Sequence, residues 1–399
     1  MKRAIQLSVL AAILAFPAAA QADTDGLMDW SVSPWTGSVD DLNYTVGGQA
    51  YGSMFSADEP LPQGFATKDA TGAASINGRI ERDYDSGLTL AIKGTFELYH
   101  DHLSGDNYGS DFLQKLYGSA QTGLGRVEVG MADGAAYSLA IVGPSINGET
   151  TIDNPNATFF RDPSTGQAFV NIFTLNSATE ASLNYAKISY YTPRLFGVQL
   201  GVTFTPSEGK DVLPFLNVGQ HVSNRQQNMF EAAVNYSDTF GPFTASLASG
   251  FTFAHNADKT PGHEGLTDWD VGSQLDWAIN DDFKLSVGGA YRHSNAYAFN
   301  INDVRADGRT ESLHLSTVLS YGSWSLGGEI GNATAEGTLG SPTLGIHGYE
   351  ISGGYQVNTN LQLNAGWQKL VYTRDAGVFY NAAPRIDLDA VFLHAVLNI

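Results

Sequence analysis

The 399-residue chain has no cysteine. That excludes a disulfide framework and any thiolate chemistry, metal-binding or redox. Basic residues are scarce, with 21 Lys and Arg against 41 Asp and Glu. A nucleic-acid partner needs a basic footprint, and there is none. No stretch reaches the ~18 consecutive apolar residues of a membrane-spanning helix. There is no Gly-x-Ser-x-Gly nucleophile elbow. Gly123-x-Gly125 lacks the third glycine and the helix of a dinucleotide loop. These absences point away from an enzyme: no catalytic residue and no cofactor is expected. His100-Asp101-His102 with Asp106 is read as a solvated surface cluster, so no metal is expected either.

The N-terminus reads as an export signal. Lys2 and Arg3 open it, Ile5 to Phe16 is mostly apolar, and Ala20-Gln21-Ala22 is a small-x-small cleavage site. Residues 1–22 are therefore expected to be a cleaved signal peptide, and 23–399 a single domain. The exported chain is then soluble in the periplasm, secreted, or a barrel in an outer membrane.

What the sequence has in quantity is glycine (44 residues), tyrosine (18) and phenylalanine (21). The glycine share exceeds the usual ~7%. Oily residues recur at every second position, the period of a strand. In Lys187–Pro206 they are Ile188 and Tyr190, then Val198, Leu200, Val202 and Phe204, with a turn expected at Thr192-Pro193-Arg194. Sixteen such segments are predicted: 43–53, 73–83, 87–99, 111–121, 124–131, 181–192, 195–205, 228–237, 242–254, 266–278, 283–293, 309–321, 323–332, 346–357, 360–372 and 385–399. Their connections alternate short and long. The short ones carry turn residues such as Thr122-Gly123, Asn280-Asp281-Asp282 and Asn358-Thr359. Short turns at one end and long loops at the other are the layout of an outer-membrane barrel. The faces agree. Phe283, Leu285, Val287 and Tyr291 oppose Lys284, Ser286 and Arg292. Most second faces are Ser, Thr, Asn, Gln and Gly, which suits a wet lumen better than the outside of a sandwich. In the last strand Phe392 and Val396 break the polar parity. Trp269 and Trp277 sit near the two ends of one oily face, about 20 Å apart along a tilted barrel axis. Trp324 is expected at the short-turn edge and Trp367 near the outer edge.

YYTPRLFGVQLGVTFTP, GLGRVEVG (Gly123 to Gly130) and the C-terminal strand from Asp387 onward resemble segments of the general porins of Gram-negative bacteria, in particular the alphaproteobacterial type. The chain departs from the family at Met131, where an Arg is frequent, and at Ile399, where an aromatic is frequent. The resemblance implies a 16-stranded antiparallel transmembrane β-barrel in the outer membrane. It also implies a homotrimer and a long third loop, 132–180, folded into the lumen as a constriction.

That loop holds Asp133, Glu149, Asp153, Arg161 and Asp162. The lumen face of strands two to six carries Arg79, Lys93, Lys115, Arg126 and Lys187, with Glu81, Glu97 and Glu128 among them. With the loop opposite this arc, carboxylates face cations across a narrow gap, and fixed charge sets ion preference. The expected constriction set is Arg79, Lys93, Arg126, Lys187, Asp133, Glu149, Asp153 and Asp162. The expected function is passive diffusion of ions and small hydrophilic solutes, with outer-membrane lipid around the barrel. A channel selective for a sugar or organic acid is the alternative within the class. A secreted β-sheet lectin or adhesin is the alternative outside it.

Overall fold

Inside hydrocarbon every backbone amide needs an internal partner, which for strands requires a sheet without edges. The computed structural model describes residues 33–57, 68–100, 113–148, 150–153, 175–208, 226–257, 261–301, 303–337, 343–375 and 385–399. The expected signal peptide lies outside them. The strands are β1 (Trp35–Val39), β2 (Leu42–Ala57), β3 (Lys68–Asp83), β4 (Thr89–His100), β5 (Leu113–Thr122), β6 (Gly125–Met131), β7 (Ala186–Tyr191), β8 (Val198–Ser207) and β9 (Gln226–Phe240). They continue as β10 (Phe243–Asn256), β11 (Thr267–Ala278), β12 (Phe283–Ser294), β13 (Arg309–Tyr321), β14 (Trp324–Glu336), β15 (Leu344–Gln356), β16 (Leu361–Arg374) and β17 (Arg385–Asn398). One helical turn, α1 (Ala135–Ser138), follows β6.

Strands β2 to β17 pair antiparallel in sequence order, and β17 pairs back onto β2, from Ala390↔Ala57 to Asn398↔Gln49. The ring is closed and sixteen-stranded, and each expected segment falls on one of its strands. β1 is an addition. It takes the stretch of β2 just beyond the end of β17, from Trp35↔Val46 to Val39↔Leu42. Ile399 and Gly48 exchange backbone hydrogen bonds of 2.8 and 2.9 Å at the join. The two ends of the barrel chain thus share one edge of β2. WTGSV is too short, and too interrupted by Gly37, to show a period.

Alternate residues face outward as an apolar band: Val198, Leu200, Val202 and Phe204 on β8, and Leu313, Leu315 and Leu319 on β13, are all exposed. Aromatic pairs mark both rims of this band, as expected of a barrel in a bilayer. At the short-turn rim Phe243 stacks on Trp277, Phe283 meets Tyr321 and Trp324 meets Tyr355. At the other rim Trp269 contacts Tyr291 and His293.

Two local expectations are corrected. The turn inside Lys187–Pro206 is not Thr192-Pro193-Arg194. It is Leu195 to Val198, closed by two backbone hydrogen bonds of 2.9 Å, with Phe196 at φ 50° and Gly197 at φ 80°. A two-residue hairpin with this twist needs left-handed backbone at its centre, and proline is locked at negative φ. Gly197 has a second reason to be glycine: a Cβ there would lie 2.8 Å from the Tyr236 ring. Trp367 does not sit near the outer edge. It lies midway along β16, opposite Ile351 and Val391, because the strand runs on to Arg374.

The lumen is not polar throughout. Ile386, Leu388 and Phe392 of β17 point inward and are buried. They join Phe55, Ile346, Leu370 and Tyr372 in one cluster. Ile152 and Leu175 of the long loop pack into it, as do Tyr297 and Ala298 of the loop after β12. This explains Phe392: its inward face meets protein rather than water.

Candidate pore constriction

The basic arc is assembled by cross-strand pairing. Arg79 on β3 lies opposite Lys93 on β4, and Lys93 lies opposite Tyr117 on β5. The Lys93 ammonium is 5.5 Å from the centre of that ring. Arg126 on β6 lies opposite Tyr191 on β7, with its guanidinium 4.7 Å over the ring. Cations over aromatic faces are attracted by the ring quadrupole. The arc is not purely positive. Arg79 pairs with Glu81, and Arg126 lies 3.0 Å from Glu128.

Leu113, two residues before Lys115, is oily and buried, yet the two do not share a face. The β4–β5 register shifts between Thr95 and Phe96, so Lys115 falls opposite Thr95 on the lumen face. Its ammonium is 2.6 Å from Asp133, near the start of the long loop. Lys187 is buried. Its ammonium donates to the Ser182 carbonyl at 3.1 Å, to Ser182 Oγ at 2.7 Å, and to the Leu183 carbonyl. Its charge therefore holds the return of the long loop.

The described parts of that loop bond to inward-facing side chains on the wall away from the basic arc. The Ala135 N–H donates to Thr203 Oγ1 (2.9 Å) and the Ala136 N–H to Glu231 (3.1 Å). Asn235 donates to the Leu139 carbonyl (3.0 Å), Gln362 to that of Ile146 (3.1 Å) and Gln368 to that of Thr150 (2.7 Å). The Ile152 N–H donates to Glu329 (3.3 Å). On the returning leg Ser312 donates to the Leu175 carbonyl (2.7 Å), and the Thr179 N–H donates to Asp270 (2.6 Å). Asp268 accepts from Thr179 Oγ1 at 3.0 Å and is held by a bidentate ion pair with the fully buried Arg292. Buried carboxylates that accept backbone N–H groups are satisfied by them.

Glycines clear the way. A Cβ on Gly201 would lie 3.0 Å from Ala135 and Leu139, and one on Gly250 3.1 Å from Ala136. One on Gly272 would collide with the Ile141 carbonyl, and one on Gly288 would lie 2.9 Å from Pro144. On Gly348 it would lie 2.6 Å from Leu175. β8, β10, β11, β12 and β15 each give up a side chain where the loop passes.

A cavity of about 700 Å³ opens between the two legs of the loop and His314 of β13. Asp153 comes from one leg, Glu180 and Asn176 from the other. Burial pushes the Asp153 carboxyl up to about 7, with Glu180 and Glu329 adding to the rise and His314 and Arg292 opposing it. Burial raises Glu180 as well, against the pull of Arg292. Asn176 donates to Glu180. Asp153 Oδ1 is sealed and accepts no hydrogen bond. His314 has both ring nitrogens engaged, one 2.9 Å from the Val142 carbonyl and the other 3.2 Å from Glu329.

Of the predicted constriction residues, Arg79 and Lys93 stand side by side, and Asp133 meets Lys115. Asp153 lies apart from both, in the cavity. Glu149, Arg161 and Asp162 lie outside the described residues, as do Asp101, His102 and Asp106. Sequence reasoning missed the glycine track and the wall carboxylates Glu231, Asp270 and Glu329. The signal was present as inward-parity glycines on strands far from the basic arc.

A family model described as Gram-negative porin matches residues 7–368. No curated protein sequence matches. Among solved structures, the trimer form of in-vitro folded OmpT, an outer membrane protein of Vibrio cholerae, superposes with a TM-score of 0.55 at 10% identity. The match covers 90% of this chain and all of that one. An anion-selective porin from Comamonas acidovorans gives 0.51 at 14% identity, over 90% and 100% of the two chains. A mutant of the Rh. blastica porin gives 0.50 at 14%, over 89% and 100%. At these identities the structures speak for the fold.

Proposed function

The chain belongs to the Gram-negative porin family, and on that premise we propose how its pore selects. It is an outer-membrane barrel through which ions and small hydrophilic solutes diffuse passively. The observation that carries the reading is the closed sixteen-stranded ring, apolar outside and largely polar within. A secreted lectin or adhesin is not favoured by the family match.

The narrowest passage lies between the arc of Arg79, Lys93 and Arg126 and the long loop. Asp133 faces it from the start of the loop, where it pairs with Lys115, and Asp153 lies deeper, in the cavity between the loop's legs. Lys187 shapes it by holding the loop's return. The hydrogen bonds and glycine contacts of the loop along the far wall support this arrangement. Selection is then by width and fixed charge, and no bond is made or broken in passage. Residues 1–22 are removed on export, which N-terminal sequencing of the mature protein would read at Asp23.

The barrel assembles as a homotrimer through the outer face of β17, β2 and β3. Ala50, Gly52, Ala70, Gly72, Ala74 and Ala395 make that face shallow. Met54 and Leu393, side by side across β2 and β17, rise from it at 64% and 61% exposure. A flat face with two knobs suits close packing of wall on wall. Native electrophoresis in mild detergent reads the subunit number, and a monomer as the sole species contradicts this arrangement.

Planar-bilayer recording tests the pore. Wild type should insert with stepwise ohmic conductance and exclude neutral polymers above a defined size. Deletion within 140–170 should raise both conductance and the exclusion limit. An unchanged exclusion limit would mean that the loop does not border the narrowest passage.

A further inference from the structure

Two register slips fall side by side in the wall next to the basic arc. Between β3 and β4 the pairing passes from Ala74↔Tyr99 to Ser75↔Glu97, which leaves Leu98 with no opposite number on β3. Between β4 and β5 it passes from Thr95↔Lys115 to Phe96↔Leu113, which leaves Gln114 with none on β4. A bulge re-aims the side chains around it, and bulges are over-represented next to functional sites. Here Gln114 shares the lumen face with Lys115, and its amide donates to Glu97. Its backbone carbonyl, outside the ladder, accepts from the Asn184 side chain on the returning leg of the long loop.

Beside the two slips is a cavity of about 220 Å³. Gln49 and Tyr51 of β2, Ala73 and Ser75 of β3, Glu97 of β4 and Gln114 of β5 line it. Gln49 lies opposite Ser75, and Tyr51 opposite Ala73. The cavity is on the long-loop side of the arc. Ser75 is four residues from Arg79, and Glu97 four from Lys93, about 13 Å along each strand.

We infer that this cavity is a lumen subsite for one ring of a neutral polyhydroxylated solute, a monosaccharide or cyclic polyol. The inference rests on the reading that the barrel is a water-filled path, and it names a class of solute retained there. The Gln49 amide nitrogen donates to Asn398 at 3.1 Å, and that of Gln114 donates to Glu97. What each glutamine offers a solute is then its carbonyl oxygen. With the Glu97 carboxylate and the hydroxyls of Tyr51 and Ser75, the wall is dominated by acceptors. It calls for a ligand with several O–H donors close together, as vicinal hydroxyls are. Among the described residues no lysine or arginine lines the cavity, so an anion would meet Glu97 without a counter-charge. A lone carboxylate already bonded to an amide is no pair of acids for a cation. The Tyr51 ring is braced by His394, with centroids 5.6 Å apart. That ring and the Ala73 methyl give an apolar wall for the C–H face of a sugar. The volume lies below the ~300–1,000 Å³ of larger small-molecule sites, which suits one ring and not an oligosaccharide.

Saturation-transfer NMR of D-glucose against folded protein in deuterated detergent tests the subsite. The expected result is a saturable signal, strongest at the ring C–H protons. Excess myo-inositol should reduce it. Triethylene glycol dimethyl ether, which carries acceptors only, should not. Gln49→Leu with Gln114→Leu should raise the half-saturating glucose concentration at least about fivefold, since two hydrogen-bond acceptors are lost. Ala73→Leu keeps every polar group but fills the cavity, and should abolish the saturable signal. Absence of saturation in wild type, or saturation unchanged in both variants, overturns the proposal. Planar-bilayer recording of the same preparations keeps the two readings apart. A protein that conducts and shows no saturable glucose binding removes only this subsite. One that binds glucose and does not conduct removes only the pore.

Discussion

Asp153 carries the clearest pH dependence that can be worked out from one side chain. Its carboxyl titrates at about 7 in the folded loop, against an ordinary value of 3.8. The groups facing it are Glu180 from the other leg, Glu329 of β14, His314 of β13 and Arg292 of β12. A carboxyl raised on folding binds its proton more tightly in the folded state. Its contribution is therefore fully present below about 4 and lost as pH rises through 7. At 1.36 kcal/mol per unit, the whole shift corresponds to on the order of 4 kcal/mol, an upper bound because local opening relieves it. The loop should loosen in mild alkali. Amide hydrogen-exchange protection of residues 150–153, corrected for intrinsic rates, should fall between pH 5 and 8 in wild type and stay level in Asp153→Asn. Equal pH slopes in the two proteins would place the titration elsewhere.

The long loop and its track show how much an element depends on what lies across from it. A leucine at Gly272 must displace the Ile141 carbonyl, and one at Gly348 must displace Leu175. Overpacking of this kind costs typically 1–3 kcal/mol. Both variants should leave the barrel intact, read as unchanged strand content and heat-modifiable gel mobility, while shifting the loop and altering single-channel conductance. Conductance identical to wild type in both would show that the loop's seat on the wall does not set the passage. The same contrast explains what could be read beforehand. All sixteen ring strands were legible, because hydrocarbon constrains every second residue over a whole strand. Thus Val198, Leu200, Val202 and Phe204 declare their face without help from any neighbour. β1 was too short to show a period. The turn at Phe196–Gly197 was hidden by the more conspicuous Pro193. The loop's course rests on single glycines and on Glu231, Asp270 and Glu329. Each reads in isolation as an ordinary lumen residue, and its meaning comes from a backbone group distant in sequence.

At the scale of the whole barrel, two charge distributions oppose each other. The chain is strongly acidic, with a formal charge of −20. Part of that acidity inside the barrel is already committed: Glu231, Asp270 and Glu329 accept backbone hydrogen bonds from the loop, and Asp268 is locked to Arg292. Net charge is thus a poor guide to the field a permeating ion meets. On the wall across from the loop stands the arc, where Arg79 and Lys93 lie side by side and Arg79 and Arg126 are tempered by Glu81 and Glu128. Exposed charges act over roughly a Debye length, about 10 Å at 0.1 M salt, so those nearest the passage dominate. Replacing Arg79 and Lys93 together by glutamine should move the zero-current potential in a tenfold KCl gradient toward the cation limit. The shift should shrink as both solutions are raised toward 1 M, where the Debye length falls to about 3 Å. Replacing Asp133 by Asn should move the potential the opposite way, because Lys115 is left without its counter-charge, and by less than the arc variant, because one charge is changed and not two. If the arc variant leaves the potential unmoved at low salt, ions pass beyond the reach of the arc, and the passage runs along the loop's acidic cavity instead.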